Sequence, residues 1–462
     1  HVVHTAGEVD GREDRHTDMT HGRPIRLILL FSLPLMLGSV FQQLYTIVDT
    51  IIIGRGVGMQ ALASIGAADW INWLVLWGLQ GFTQGFAILA AQEFGAGAYD
   101  RLRRVLAMIV KLSCWFGIAV TIISLLLVRP LLTLLHTDPA VFGGAQTYLY
   151  VQFGGSLIII AYNMAAAVLR CLGDSKTPLF AIIAASFANI ALDLLFVMGF
   201  GWGIFGASFA TVLAQLIAFL LCLRSLWRLP FVQLTKADWK TDPAILLHLC
   251  RLGIPTGLQM SMITLGGMVL QSVLNGFGVV FVAGYTAANK LYGILESASV
   301  AFGYAMTAYM GQNRGARNAA RIDAGIRAVL VLSAEFTAAI VTAMLVAGKP
   351  LLGLFLSTEE AGAAEALAVA YQYLMVLMAF LFALFMLQAY RSSLQGLGEM
   401  TVPTLSGFAE MLMRMGAALV LPTFIGQSGV FFAEGAAWVC AAALNLVWYY
   451  MRIGKIKREM LK

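Results

Sequence analysis

The sequence predicts an all-α polytopic membrane protein with twelve transmembrane helices in two pseudo-symmetric six-helix bundles. Hydrophobic residues make up 60% of the 462 residues and charged residues only 12%, about half the charged fraction of a soluble protein. Long apolar runs alternate with short polar connections, and motifs in the first half recur in the second. The formal net charge is +6, but no stretch is long and polar enough to form a soluble catalytic or nucleic-acid-binding domain.

Each predicted helix corresponds to one apolar run, because about 20 mostly apolar residues are needed to cross a membrane. The first half contains six such runs, near residues 27–53, 64–91, 106–128, 146–169, 178–199 and 204–223. Six more follow a polar interval, near residues 246–274, 282–310, 326–347, 367–392, 402–424 and 430–451. Several runs exceed the length that a bilayer requires, so tilted or bent helices are expected.

The basic residues fall mainly on one side of the predicted membrane. That side carries Arg101, Arg103, Arg104, Arg170, Lys176, Arg224, Arg228, Arg314, Arg317, Arg321, Arg327 and Arg391. The opposite connections carry only Arg55, Arg129 and Lys349. Because cytoplasmic loops are enriched in Lys and Arg, both termini are predicted to be cytoplasmic.

These features divide the chain into five segments. Residues 1–22 are predicted to be a disordered cytoplasmic tail, and residues 452–462 a basic cytoplasmic tail. Residues 23–224 are predicted to form the N-terminal lobe and residues 246–451 the C-terminal lobe. Residues 225–245, the longest polar stretch between runs, are predicted to be a cytoplasmic linker.

The two halves share an internal repeat. The sequence Gln-Glu-Phe-Gly-Ala that begins at Gln92 matches Gln-Asn-Arg-Gly-Ala at Gln312, and Leu-Gly-Asp at Leu172 matches Leu-Gly-Glu at Leu397. An even number of runs separates the halves, so they have the same orientation. Two parallel six-helix bundles with a path between them are a transporter architecture.

One carboxylate, Asp49, lies inside the first apolar run, where an unpaired charge costs about 3 kcal/mol or more. In the fifth run, Asn189 and Asp193 are four residues apart and therefore share one helix face. Two neighbouring carboxylates repel each other, and their oxygens suit hard cations such as sodium. If Asp49 lies beside this pair, the three form a site for a proton or a sodium ion. The alternative is that these acids are polar contacts between helices or lie in the headgroup region.

The order and spacing of several motifs resemble those of the multidrug and toxic compound extrusion (MATE) transporters, from about Gly22 to Lys462. The motifs are Val48-Asp-Thr, Gln92-Glu-Phe-Gly-Ala-Gly, Leu169-Arg-Cys-Leu-Gly-Asp-Ser-Lys-Thr-Pro, Asn189-Ile-Ala-Leu-Asp, Gly206-Ala-Ser and Gly311-Gln-Asn-Arg-Gly-Ala. The resemblance implies a V-shaped antiporter of the bacterial inner membrane. Such an antiporter exports amphipathic, often cationic compounds in exchange for a proton or a sodium ion.

The resemblance also implies an ion site in the N-terminal lobe formed by Asp49, Asn189, Asp193 and Thr211, with sodium as the alternative to a proton. A branch of the family with an additional Glu in the seventh helix is not matched, since the stretch after Pro255 has no carboxylate. The coupling acids are therefore expected in the N-terminal lobe alone. Five further polar residues are expected to line the substrate cavity: Gln43, Tyr45, Asn163, Gln259 and Gln388.

Pro34 lies in the first run, fifteen residues before Asp49. Proline lacks an amide hydrogen and weakens a helix locally. We therefore expect Pro34 to be a hinge whose bend changes when Asp49 and Asp193 bind an ion, and a passive kink is the alternative.

Other functions fit the residues less well. The sequence Gly201-Trp-Gly-Ile-Phe-Gly matches a dinucleotide-binding pattern but lies between two apolar runs instead of after a strand. No phosphate-binding lysine motif follows a glycine run, which favours an ion gradient as the energy source. A flippase for a lipid-linked precursor is the main alternative and would need several cationic side chains in its central cavity. The sequence predicts no enzyme activity, no cofactor and no nucleic-acid partner, and it predicts a monomer that contacts amphipathic cations and membrane lipids.

Overall fold

The computed structural model describes residues 18–356 and 361–462, and most of this part of the chain is helical. The N-terminal half contains α1 (Pro24–Gly56), α2 (Met59–Gly95), α3 (Tyr99–Leu134), α4 (Pro139–Gly154), α5 (Ser156–Cys171), α6 (Lys176–Asp193) and α7 (Gly203–Trp227). The C-terminal half contains α8 (Pro243–Asn275), α9 (Val279–Gly315), α10 (Ala319–Gly353), α11 (Ala363–Gly396), α12 (Thr401–Ile425) and α13 (Phe432–Met460).

These helices account for the twelve predicted membrane spans within the described residues. Ten of them are long and apolar enough to cross a membrane individually, and α4 and α5 together form an eleventh span that is bent by 52°. The twelfth is α9, which is 37 residues long but is less apolar because it carries Lys290 and Glu296. The prediction of twelve spans in two bundles is confirmed.

Local sequence signals explain several helix boundaries. Proline occupies the first turn of α1, α4 and α8. Amides in the first turn have no acceptor within the helix, so the missing amide hydrogen of proline costs no hydrogen bond there. Asp138 caps α4 by accepting a hydrogen bond from the Ala140 amide, and Asp242 caps α8 through the Ala244 amide. Such caps satisfy amides that would otherwise be unpaired.

The two lobes meet mainly where α2 packs along α8 and where α1 and α2 pack against α9. Small residues allow the close approach of α2 and α8. A Cβ added to Gly85 would lie 2.5 Å from the backbone oxygen of Leu252, so no larger residue fits there. Close backbone contact of this kind is the usual way in which helices associate inside a membrane.

The end of the molecule that carries Arg101, Arg314 and Arg321 is called the basic end here. Asp18–Gly22 lies at this end and is ordered, which corrects the prediction of disorder for the described part of residues 1–22. Residues 1–17 of that predicted tail lie outside the described residues. Met19 is fully buried, and Arg321 donates hydrogen bonds to the carbonyl oxygens of Met19 (2.9 Å) and Gly22 (2.8 Å).

The predicted basic tail, residues 452–462, largely continues α13 as far as Met460. Its charges pair with other helices of the C-terminal lobe, since Arg452 binds Glu399 (2.7 Å) and Lys457 binds Asp323 (2.5 Å). The linker predicted at 225–245 contains a short 3₁₀ turn, Pro230–Val232, and then irregular chain up to the start of α8.

Candidate functional site

A cavity inside the N-terminal lobe contains much of the predicted ion site. It lies between α1, α5, α6 and α7 and has a volume of about 50 Å³. Tyr45, Asn189 and Thr211 line it, together with Gln42, Tyr162, Ile182, Ala185, Ser186, Ala214, Gln215 and Ala218. α1 and the consecutive helices α6 and α7, which are distant from α1 in sequence, therefore bring predicted residues to one space.

The two predicted carboxylates adjoin this cavity. Asn189 and Asp193 are buried on the same face of α6, and the Asn189 amide donates to Asp193 Oδ2 at 3.4 Å. Asp49, on α1, approaches both of these side chains. Tyr45 lies one turn before Asp49 and interacts electrostatically with both acids. The structure thus brings Asp49, Asn189, Asp193 and Thr211 into one region of the lobe.

Several buried oxygen atoms in this region have no hydrogen-bond partner among the described residues. They are Asp49 Oδ1, Asn189 Oδ1, Asp193 Oδ1 and Gln215 Oε1. All four are acceptors, and leaving a buried acceptor unpaired costs about 1–3 kcal/mol. A proton or a small cation would satisfy such oxygens, and carboxylate and amide oxygens are suitable ligands for a hard cation.

The helix that carries Asn189 and Asp193 changes from an α-helix to a π-helix directly after Asp193. α6 ends at Asp193, and Leu194–Gly199 continues the span as a π-helix. π-helical turns are rare and often occur at functional sites, because the wider turn shifts the direction of neighbouring side chains. The sequence gives no signal for this change.

The other predicted N-lobe residues lie outside the cavity lining. Asn163 is partly buried on α5, and its amide donates to the carbonyl oxygen of Ile159 one turn earlier (2.9 Å). Gln43 is exposed on α1, and its Nε2 lies 3.8 Å from the position that a Cβ on Gly293 would occupy. Gln43 therefore faces α9 of the other lobe.

The helix α1 runs unbroken through Pro34, whose hinge role stays a prediction.

Two cavity residues were predicted in the C-terminal lobe. Gln259 is buried on α8, where its Oε1 accepts a hydrogen bond from Gln395 (2.6 Å). Gln388 is partly buried on α11, with its Oε1 3.2 Å from the position of a Cβ on Gly303. Both side chains therefore lie between helices of this lobe, and their contact with substrate stays a prediction.

Sequence reasoning missed several residues of the N-lobe region. Gln215 follows Thr211 by one helical turn, and Ser186 precedes Asn189 by three residues, so helical spacing from the predicted residues could have found both. Asp69 of α2 interacts electrostatically with Asp49. Tyr148 of α4 lies near both of these acids, but no spacing in the sequence links these helices.

The C-terminal lobe contains a buried network of arginine and glutamate side chains. Arg414 pairs with Glu410 one turn earlier (3.2 Å) and also with Glu434 of α13 (2.8 Å). Arg391 was assigned to a loop, but it lies within α11 with 4% of its surface exposed, and it pairs with Glu410 (2.7 Å). Each guanidinium therefore has a carboxylate partner.

Comparison with known proteins identifies the family. The MatE family model matches this chain twice, over residues 34–195 and 255–420. The chain belongs to the MATE family of multidrug transporters. The double match confirms the internal repeat, and membership of a transporter family confirms that this MATE protein is not an enzyme.

Curated relatives cover almost the whole chain. The "Probable multidrug resistance protein YpnP" of Bacillus subtilis is 32% identical over 455 residues, which cover 96% of this chain and 98% of the relative. The "Multidrug export protein MepA" of Staphylococcus aureus is 22% identical, over 92% of this chain and 94% of the relative. These relatives place the protein among multi-pass membrane transporters of bacteria.

Solved structures confirm the fold. A "MATE in complex with MaL6" superposes with a TM-score of 0.88 at 24% identity, over 96% of this chain and 99% of that one. An "outward-facing conformation of a multidrug resistance MATE family transporter of the MOP superfamily" has a TM-score of 0.88 at 24% identity, over 97% and 100% of the two chains.

Proposed function

We propose that this MATE-family protein is a secondary antiporter that exports amphipathic cations in exchange for a proton or a sodium ion. It acts in the bacterial inner membrane as a monomer, with the basic end and both termini in the cytoplasm. The observation that carries the proposal is the approach of Asp49 to Asp193 beside a cavity whose buried acceptor oxygens lack donors.

This arrangement supports coupling because the two carboxylates cannot stay charged side by side without a compensating positive charge. In one state of the transporter a proton or sodium ion lies between α1 and α6 and holds them together. When the ion leaves, repulsion between Asp49 and Asp193 favours a different arrangement of the two helices. Since α1 also contacts α9 of the other lobe, a change at this site reaches the interface between the lobes.

The direction of exchange follows from the gradients. A one-for-one exchange of a proton or a sodium ion for a monovalent organic cation moves no net charge across the membrane, so the concentration gradient of the coupling ion drives it. A tenfold gradient of that ion, about 1.4 kcal/mol, supports export against a roughly tenfold concentration ratio. The flippase alternative is less well supported, because Arg391 and Arg414 are already paired with carboxylates and are not free to hold a pyrophosphate.

The test is efflux of ethidium or norfloxacin from everted membrane vesicles, with sodium and proton gradients imposed separately. We expect wild-type transport under at least one gradient and its loss in Asp49→Asn. Asp100→Asn is the matched control, because the Asp100 side chain is exposed in the first turn of α3 and, among the described residues, pairs with Arg103. Undiminished gradient-driven transport by Asp49→Asn would contradict the role of Asp49 in coupling.

A further inference from the structure

The carboxylate of Glu296 is the one acid in the buried polar network of the C-terminal lobe that is left without a cationic partner of its own. Within the described residues, Arg391 pairs with Glu410 and Arg414 pairs with Glu434. Glu296 interacts electrostatically with Glu434, Arg414 and Glu410. Two guanidinium groups therefore face three carboxylates, and the network lacks one positive charge.

The orientation of Glu296 is fixed by its neighbour Tyr292. These residues are four apart on α9 and share one helix face, and the Glu296 carboxyl group lies beside the Tyr292 hydroxyl. The Tyr292 ring stacks on Trp438 of α13, with the ring centres 5.5 Å apart. This stacking directs the face that carries Glu296 towards the interior of the lobe. Lys290 is exposed on a different face of α9 and does not supply the missing charge.

The depth of Glu296 follows from two contacts between α1 and α9. Ser32 donates to the carbonyl oxygen of Ala301 at 3.4 Å, and Gln43 approaches Gly293. Glu296 lies between Ala301 and Gly293, so it is at the same level as the part of α1 between Ser32 and Gln43. Because α1 has 33 residues, this level is close to the middle of the membrane.

Glu296 is also less buried than the rest of the network. Glu296 and Tyr292 are partly exposed, whereas Trp438, Glu410 and Arg414 are buried. α9 is one of the helices that line the contact between the lobes. A molecule that enters between the lobes at mid-membrane can therefore reach a carboxylate flanked by an aromatic ring, and rings and carboxylates together favour organic cations.

We propose that Glu296 is a specificity-determining residue that binds the positively charged group of the transported organic cation, with the Tyr292 ring beside it. The inference rests on the proposed function and assigns a different binding role to each lobe. The N-terminal lobe binds the coupling ion through Asp49 and Asp193, and the C-terminal lobe binds the charge of the substrate. The substrate charge completes the network of Arg391, Glu410, Arg414 and Glu434 while it is bound.

The first test is equilibrium binding of ethidium and of tetraphenylphosphonium to the purified full-length protein in detergent. Glu296→Gln removes the charge and is expected to raise Kd for both cations about tenfold or more. Glu296→Asp keeps the charge and is expected to retain most of the affinity, which separates charge from packing. Glu335→Gln is the matched control, because Glu335 is an exposed acid on α10 and its loss should leave Kd unchanged.

Three results would overturn the inference: cation affinity unchanged in Glu296→Gln, an equal loss in Glu335→Gln, or an equal loss in Glu296→Asp. A wild-type protein that binds neither cation would overturn it as well. A further contrary result is a Glu296→Gln protein that binds ethidium normally but no longer responds to a proton gradient, since Glu296 would then be a proton site. Failure of the proposed function is distinguishable, because it is the absence of wild-type transport under both gradients, whatever the binding data show.

Discussion

Gly95 of α2 lies against the backbone of Gln312 on α9, so closely that a Cβ added to Gly95 would overlap the Gln312 carbonyl group. The contact is reciprocal, because a Cβ on Gly315 would overlap the carbonyl group of Gln92. These four residues occupy matching places in the internal repeat. The Gln312 side chain adds a donated hydrogen bond to the carbonyl oxygen of Cys171 (3.0 Å). The lobes are therefore closed against each other at the basic end.

This contact predicts the effect of Gly95→Ala. The added methyl group would force α2 and α9 apart, so we expect transport to fall at least tenfold and the closed arrangement at the basic end to be lost. Cys171 is a buried reporter at this interface and should become reactive towards a membrane-impermeant thiol reagent supplied from the basic end. The measurement uses a protein in which Cys114, Cys222, Cys250 and Cys440 are replaced by serine.

The matched control for that experiment is Gly66→Ala, on the same helix, where no atom lies within 4 Å of an added Cβ. Its transport and its Cys171 reactivity should equal those of the parent protein. If Gly95→Ala also behaves like the parent, the close contact with Gln312 does not hold the lobes together.

A second prediction concerns stability. Glu410 has about 4% of its surface exposed and binds both Arg391 and Arg414. Glu410→Gln would leave the buried Arg391 guanidinium without its carboxylate partner, while Arg414 keeps Glu434, and we expect the loss to destabilise the fold by about 3–5 kcal/mol. Thermal denaturation in detergent, followed by size-exclusion chromatography, should show a clearly lower midpoint. Glu335→Gln, which changes an exposed acid, should leave the midpoint unchanged. Equal midpoints for the two variants would show that the ion pairs of Glu410 do not stabilise the fold.

A third prediction separates the two coupling ions. Thr211 lines the N-lobe cavity, and its hydroxyl group otherwise donates only to the Ala207 carbonyl of its own helix (3.2 Å). Thr211→Val removes a ligand oxygen while it keeps the shape of the side chain. If sodium is the coupling ion, sodium-driven efflux should fall about tenfold or more, because sodium needs several oxygen ligands. Proton-driven efflux should persist, since the carboxylates Asp49 and Asp193 remain.

Vesicles with a sodium gradient or a proton gradient, but not both, make this measurement. Thr147→Val is a control on the same lobe, because the Thr147 hydroxyl is exposed and donates to Gly143 of its own helix. Equal sodium-driven rates in wild type and Thr211→Val would exclude Thr211 as a sodium ligand.

A fourth prediction tests the hinge. α1 passes through Pro34 without a break, and Pro34 precedes Asp49, the proposed coupling acid, on the same helix. Pro34→Ala restores the missing backbone hydrogen bond and stiffens the helix. We expect slower efflux and a weaker dependence of efflux on external pH, measured with ethidium in everted vesicles. Efflux that keeps both its rate and its pH dependence would show that Pro34 is a passive kink.

The sequence alone determined the class of this protein and predicted the residues of its candidate ion site. Apolar runs of membrane-spanning length, the one-sided arginines and the repeated motifs are local features, so they could be read without coordinates. The spacing of Asn189 and Asp193 placed them on one helix face for the same reason. The family match over both halves of the chain confirmed the twelve-helix architecture.

Only the tertiary structure decided which side chains meet across different helices. The rotation of α11 placed Arg391 beside Glu410 in the interior instead of in a loop. The packing of α9 turned Glu296 towards Tyr292 and Trp438, and the closed basic end buried Met19 in a segment that reads as a polar tail. These outcomes depend on how whole helices are rotated and how the lobes dock, and neither hydropathy nor spacing along one helix contains that information.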